Sequence, residues 1–420
     1  MSSDDALSVL ASSLTDGEAF LAALGEPARR AVRLHPRRLR PGRETIVLGA
    51  NVPVPWSPSG RFTADDADPG ATLAYHTGAA YPQDAASQVP VQLLAPQPGE
   101  ILIDTCAAPG SKSTQIGLAL QRAGRDDGLL VCCDASDQRR RVLAENLARQ
   151  GVASAVVTPL PVHRLAERSP GCADGVLVDA PCSGHERRST RQVARMALRQ
   201  GELLATAAAL VRRGGRLVYS TCTPYEAENE GVIATFCANQ REWSIEDVQV
   251  GTDLPGVDPD LHHGGAVRLW PQRQRSEPFF AVRLRRAGDE PASRMLTGNA
   301  PDLESLPWLP GSYAWKRGTT WFIGSPQAAA CALPTEARGL VVAHGERLET
   351  WGAQGLIERG ALTVSVSHAQ ALALWAGDEL AEALPGNSLV STEDGMPLGQ
   401  MTADGRRLSM PSRMRRGGLH

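Results

Sequence analysis

Gly175-Val176-Leu177-Val178-Asp179-Ala180-Pro181-Cys182-Ser183-Gly184 opens as a short run of valine and leucine and closes on a carboxylate, a proline-stiffened turn and a thiol. An apolar run of this length, without polar alternation, reads as a strand buried on both faces, the kind found in parallel sheets. In open α/β sheets ligands bind beyond the carboxyl ends of the strands, so Asp179 and Cys182 face whatever the protein handles. A free cysteine also serves as a small buried hydrophobe, and this stretch alone leaves both readings open.

The same strand-and-helix rhythm extends to either side. Strands are predicted at Ile101-Leu102-Ile103-Asp104, from Leu129 to Asp134, at Ala155-Val156-Val157, from Val176 to Asp179 and at Leu217-Val218-Tyr219-Ser220. Between them, helices are predicted over about 111–123, from Ser136 to Gly151, and over about 191–212, the last stopped by Gly214-Gly215. A further helix runs from Pro224 to about Cys237, and Phe279 to Leu284 forms a late strand. Repeated β-α units predict an α/β fold with a doubly wound, mostly parallel, Rossmann-like sheet over residues 99–286. Residues 1–98, with an apolar face at Phe20, Leu21 and Leu24 and a Pro/Gly-rich loop after Thr45-Ile46-Val47-Leu48, predict a small helical or mixed covering subdomain. After a linker at about 286–300, short β-like pieces at 313–315 and 320–323, a helix at 369–376 and a β-like end near Pro397 predict a C-terminal α+β domain, 301–420.

The 420 residues are enough for two or three cores, and no apolar run is long enough to span a bilayer. A soluble cytoplasmic protein is expected, with its eight cysteines reduced rather than paired. The net charge of −3 excludes a globally basic nucleic-acid binder, yet arginines cluster at 29–43, at 187–199 and at 406–416. Such clusters suit phosphates or simply a solvated face. Lys112 and Lys316 are the only lysines among 43 basic residues, which singles out Lys112 as a position needing a compact ammonium.

Three more strand ends carry polar residues. Asp104-Thr105-Cys106-Ala107-Ala108-Pro109-Gly110-Ser111-Lys112 is a small-residue turn into a helix whose free N–H groups can hold an anionic or carboxylate-bearing ligand. It is neither the Gly-x-Gly-x-x-Gly of dinucleotide enzymes nor a P-loop. Asp134 ends its strand as ribose-binding acids do, and equally as the acid of a helix-entry turn does. In Ser220-Thr221-Cys222-Thr223-Pro224-Tyr225-Glu226, Thr223 and Glu226 have capping-box spacing and Pro224 the first helical position. A helix starting there places Cys222 at its positive end, which favours the thiolate.

The series Cys-Ala-Ala-Pro-Gly-Ser-Lys at 106–112, Asp-Ala-Pro-Cys-Ser-Gly at 179–184, and Ser-Thr-Cys-Thr at 220–223 with Glu-Asn-Glu at 228–230 resembles the Nop/Sun family of RNA cytosine-5 methyltransferases, within it the bacterial RsmF type that acts on 16S rRNA. Tyr81 to Ser87, Arg33, Ser367 to Leu374 and Gly395 to Gly399 extend the likeness over most of the chain. The resemblance implies S-adenosyl-L-methionine as cofactor. It implies that Cys106, Ala107, Ala108, Pro109, Gly110, Ser111 and Lys112 contact its methionine end and Asp134 its ribose, with Arg139 and Asp179 also at the cofactor. It implies that Cys222 attacks carbon 6 of cytosine, that Asp179 holds the ring at N3, and that Cys182 assists release after methylation. RNA is the implied partner, rRNA ahead of tRNA, with no metal, no membrane and a monomeric protein. The N- and C-terminal parts then read as RNA-binding. A tRNA methyltransferase, a DNA cytosine-5 methyltransferase and an RNA-binding ribosome-assembly factor with weakened catalysis are the competing readings. The second thiol at Cys222 speaks against the DNA enzyme.

Several positions depart from the family pattern. Thr158-Pro159-Leu160-Pro161 stands where an aspartate near the adenine is usual, His185 follows Ser183-Gly184 directly, Glu277-Pro278 replaces a commoner glycine, and 352–366 is apolar where basic residues are expected. Cys132, Cys133, Cys172, Cys237 and Cys331 read as core or incidental, His262-His263 as a loop pair, and Trp308, Trp315 and Trp321 as core of the small domain.

Overall fold

The computed structural model describes residues 5–409 except 40–41, 43–51, 65–66, 122–126, 248–261, 264, 293–295, 297, 299–300, 303, 306–312, 345–346, 359–360 and 362. Thr45 to Leu48, Arg40, Arg43, Trp308 and the arginines at 413–416 lie outside the described residues.

The N-terminal region starts with helices Ala6–Ser13 and Gly17–Leu24. It continues into an antiparallel sheet of β1 (Ala31–Leu34), β2 (Val52–Val54), β3 (Ser57–Phe62) and β4 (Ala80–Pro82), in the order β2-β3-β1-β4. The centre of the molecule is built on β5 (Ile101–Asp104), β6 (Leu129–Cys133), β7 (Ala155–Thr158), β8 (Ala173–Asp179) and β9 (Val211–Thr221), which pair in parallel as β9-β8-β5-β6-β7. β10 (Trp243–Ile245), β11 (His262–His263), β12 (Ala266–Leu269) and β13 (Phe279–Arg286) extend it antiparallel beyond β9. His262-His263 is thus the backbone of an edge strand.

The double winding follows from period-two alternation. Leu102, Leu177 and Val218 point to one face with Leu94, Ile116 and Leu143. Ile103, Val176, Val178, Leu217 and Tyr219 point to the other with Leu165 and Leu204. Helices Ser111–Leu120 and Asp137–Arg149 cover the first face, and Val162–Arg168 and Thr190–Ala208 the second.

Three predictions about elements need correction. The helix predicted to 212 ends at Ala208, and Gly214-Gly215 lie inside β9. There the β8–β9 register jumps from Ala173↔Val211 to Gly175↔Arg216, and Gly214 takes φ +75°, so the glycines form a bulge rather than a stop. No helix begins at Pro224: a single 3₁₀ turn, Glu226–Glu228, precedes the helix Glu230–Asn239. The helix Val162–Arg168 went unforeseen because it is short and buries only Leu165.

The C-terminal region holds a second antiparallel sheet of β14 (Glu304–Ser305), β15 (Tyr313–Arg317), β16 (Thr320–Gly324), β18 (Leu340–His344) and β19 (Arg347–Leu348). A mixed sheet comprises β20 (Val364–Val366), parallel to β21 (Leu389–Thr392), and β22 (Pro397–Gln400), antiparallel to β21. Trp315 is buried and stacks on Phe322 at 5.6 Å, as a core residue should. One strand of this region, β17 (Ala337–Arg338), leaves it and pairs with β7 at the edge of the central sheet. Trp375, Leu374 and Leu398 pack against Val32 and Leu34 of β1, so the chain's two ends share a core.

Candidate active site

A cavity of about 660 Å³ opens beyond the carboxyl ends of β5, β6, β8 and β9, and its walls include Cys106, Ala108, Asp134, Asp179, Cys182 and Cys222. The first wall is the turn after β5. Ala107 N–H donates to the Cys133 carbonyl at 2.9 Å, and Ser113 Oγ donates to the buried Asp104 carboxylate at 2.7 Å. Burial pushes Asp104 up to about 7 and the Cys106 thiol up to about 12, so Cys106 packs rather than reacts. Gly110 takes φ +113° as the chain turns into the helix at Ser111, a conformation side chains resist. Asp134 accepts from the Ala108 and Ser136 amides, and Arg139 bridges the Ala108 carbonyl and the Asp134 carboxylate.

Ala107, Pro109, Gly110, Ser111 and Lys112 are not among the residues that line the cavity. The Lys112 ammonium is buried and reaches across to Asp179, 2.7 Å from Oδ2, while Ser220 Oγ donates to Oδ1 at 2.7 Å. Asp179 is therefore fixed in orientation by two donors from two neighbouring strands' ends. Behind it, Arg33 of β1 donates to the Ser111 carbonyl and to Thr114 Oγ1, both at 2.7 Å, fastening the N-terminal sheet to this helix. Its burial lowers the guanidinium to about 9, so it stays charged at neutral pH.

The two thiols meet. Cys182 Sγ lies 3.1 Å from Cys222 Sγ, with Cys182 half-buried and Cys222 exposed. Adjacent residues clamp their two turns. Glu228, fully buried, accepts from Ser183 N–H at 3.0 Å and from Gln200 Nε2 at 2.7 Å, and Gln200 also donates to the Pro181 carbonyl. Asn229, also fully buried, accepts from Thr221 Oγ1 at 2.5 Å and donates to the Thr223 carbonyl at 2.9 Å.

This geometry overturns the expected source of thiol acidity. Thr223 caps no helix, and the nearest helical turn starts four residues after Cys222. The hydrogen bond from Cys222 lowers the Cys182 thiol, helped by the backbone amides of Gly184 and Cys222. The same bond raises Cys222, and the negative Asp179 adds to the rise. Of the two thiols Cys182 is therefore the more acidic, and Cys222 holds its proton more tightly.

The far end of the cavity is lined by Leu160, Pro161, Val162 and His163. Thr158, at the position where an aspartate is usual, is buried and donates to the Pro334 carbonyl at 2.8 Å. The C-terminal region also reaches the cavity through Arg140. Its guanidinium donates to the Asp134 carbonyl at 2.8 Å and grips both carboxylate oxygens of Glu336, at 2.9 and 2.8 Å. Sequence reasoning gave no role to Glu228, Asn229, Gln200, Arg140 or Glu336. Glu228 and Asn229 were visible only as part of a quoted motif, and the others act across 19 to 196 residues of chain. Among the described residues no group of three metal-ligating side chains occurs, and no helix is long and apolar enough to cross a membrane.

A parallel β9-β8-β5-β6-β7 core, extended antiparallel past β9 and holding its cavity at the strands' carboxyl ends, defines a Rossmann-like methyltransferase fold. Residues 91–285 match the family described as 16S rRNA methyltransferase RsmB/F, and residues 8–85 match the N-terminal domain of 16S rRNA methyltransferase RsmF. The chain belongs to this RsmB/F family. Curated relatives include ribosomal RNA small subunit methyltransferase F of Escherichia coli O157:H7 and of Shigella dysenteriae, each 32% identical over 308 residues. The match takes in 67% of this chain and spans 63% of the length of those relatives. Among solved structures, a methyltransferase homologue from Pyrococcus horikoshii is 25% identical with a TM-score of 0.55, covering 65% of this chain and 91% of that one. NSun6 from the same organism, solved with SFG, is 20% identical with a TM-score of 0.59, covering 69% and 99%.

Proposed function

We propose that this chain transfers a methyl group to carbon 5 of cytosine in RNA, small-subunit ribosomal RNA first, with S-adenosylmethionine as donor. The observation that carries the reading is the thiol pair at 3.1 Å beside an Asp179 held by Lys112, in one cavity with Asp134.

The donor set of the cavity suits that cofactor. Asp134 offers a carboxylate to ribose hydroxyls, the 105–108 turn offers backbone at the charged methionine end, and Leu160, Pro161 and Val162 offer an apolar face to a flat base. Bound there, S-adenosylmethionine supplies the methyl group. Arg139 and Arg140 act on it indirectly, by holding the Ala108 and Asp134 carbonyls.

Carbon 5 of cytosine is a weak nucleophile until a thiolate adds at carbon 6. Cys222 is the exposed sulfur, free to reach a base that has left its stack. To attack, it must lose its proton, and the Cys182 sulfur 3.1 Å away is the acceptor. The S–H bond of Cys222 breaks as its bond to carbon 6 forms, and the proton passes to Cys182. Asp179, its orientation fixed, accepts from the N4 amino group and from N3–H, N3 taking a proton from solvent as electron density shifts there. After methylation the carbon-5 proton has to leave and the Cys222–carbon-6 bond has to break. Cys182, its first proton passed to solvent at the cavity mouth, is the base in reach.

The test is radiolabelled methyl transfer onto host 16S rRNA and tRNA, with bisulfite sequencing of both in cells with and without the gene. Loss of a 5-methylcytosine from 16S rRNA is the expected result. Loss from tRNA alone would move the substrate, and no binding of S-adenosylmethionine in calorimetry would favour an assembly factor over an enzyme.

A further inference from the structure

The helix Thr190–Ala208 buries Val193, Gln200, Leu204, Ala207 and Ala208 on one side. Arg191, Arg195 and Arg199 lie on the opposite side, all exposed, at successive intervals of four. Arg199 reaches the walls of the catalytic cavity that holds Cys182 and Cys222, and Glu202, one turn further, also lines it and ends the basic run.

Two features of these arginines bear on their role. Many guanidinium groups elsewhere in the central domain are matched with carboxylates, such as Arg140 with Glu336, Arg212 with Asp174, Arg216 with Glu100, Arg268 with Glu230, and Arg283 and Arg285 with Glu246. Arg191, Arg195 and Arg199 have no ion-pair partner among the described residues. The arrangement also works against the helix that carries it. Like charges four apart on a helix repel, and a cation in the first turn opposes the helix dipole. The capping box at Ser189 and Gln192 holds that end in place nonetheless. Successive guanidinium groups stand about 6 Å apart along the axis, the scale of the step between phosphates in a strand.

We propose that this face is the phosphate track for the single-stranded RNA flanking the target cytosine, leading the strand to the mouth of the cavity at Arg199. The proposal rests on the RNA methyltransferase reading given above. Arg191 and Arg195 act outside the cavity as sequence-independent anchors.

The experiment measures binding of a fluorescent, single-stranded, cytosine-containing RNA 12-mer to the full chain across a series of salt concentrations. Single-strand contacts contribute about 0.7 each to the slope of log K against log salt, so R191Q/R195Q should lower it by about 1.4 and weaken low-salt binding at least several-fold. R191K/R195K should restore most of the slope. The melting temperature of the glutamine variant should hold or rise, because like-charge repulsion is relieved. A glutamine variant with the wild-type slope overturns the track while leaving the parent reading intact. A wild type that fails to bind the 12-mer and in vitro transcribed 16S rRNA overturns the parent reading too.

Discussion

The turns after β8 and β9 are near twins in chemistry and opposites in electrostatics. Each carries a thiol just past a parallel strand's end, and each is clamped by one of two consecutive side chains, Glu228 for the Cys182 turn and Asn229 for the Cys222 turn. Cys182 receives hydrogen bonds from a neighbouring thiol and two backbone amides, whereas Cys222 gives its proton to that contact and faces Asp179. The lesson is that a thiol's acidity is set by the donors folded around it. Its distance in sequence from a helix does not decide it.

The largest effect that separates the two turns is loss of the attacking sulfur. Cys222→Ala should reduce methyl transfer by about a thousandfold or more, read by radiolabel incorporation, and should form no covalent RNA complex. Cys182→Ala should cost about a hundredfold in turnover, the scale of a lost general base; the exposed Cys222 can still lose its proton to solvent while release has no base, so a protein–RNA adduct that survives denaturing electrophoresis should accumulate. If Cys182→Ala turned over normally without adduct, the division of labour between the turns would be wrong.

The clamps sharpen the same contrast at smaller cost. Removing a buried hydrogen-bonding partner costs about 1–3 kcal/mol, so Glu228→Ala and Asn229→Ala should each slow turnover by about five- to 150-fold. They should differ in kind. Glu228→Ala disturbs the releasing turn and should raise the steady-state adduct, while Asn229→Ala disturbs the attacking turn and should lower it. The smallest effect is expected from Glu336→Gln, whose partly exposed pair with Arg140 steadies Asp134 from the C-terminal region. Calorimetry should find S-adenosylmethionine binding about threefold weaker, with turnover recovering at saturating donor.

The central sheet was legible because its signal is local: Val176 to Asp179 or Leu217 to Ser220 read as strands without knowledge of their neighbours. The polar residues at their ends followed from the rule that ligands bind there, and Asp134, Asp179, Cys182 and Cys222 do share one cavity. The errors arose where pairing outweighed local preference. Thr223, Pro224 and Glu226 spell a helix start, but Asn229 draws Thr221 and the Thr223 carbonyl to itself and leaves the segment extended. Gly214-Gly215 spell a stop, but β8 recruits them into a bulged strand. The hold of Glu336 on Arg140 and of Pro334 on Thr158 had no sequence signal, because a two-residue strand from the C-terminal region has no pattern of its own.

The most direct test of the thiol assignment is the identity of the sulfur that bonds to the base. With 16S rRNA transcribed to carry 5-fluorocytosine, no proton can leave carbon 5 and the covalent intermediate should persist for peptide mapping. The nucleotide mass on the peptide containing Cys222 is the predicted result. The same mass on the peptide containing Cys182 would contradict it, and would make the more acidic sulfur of the pair the nucleophile.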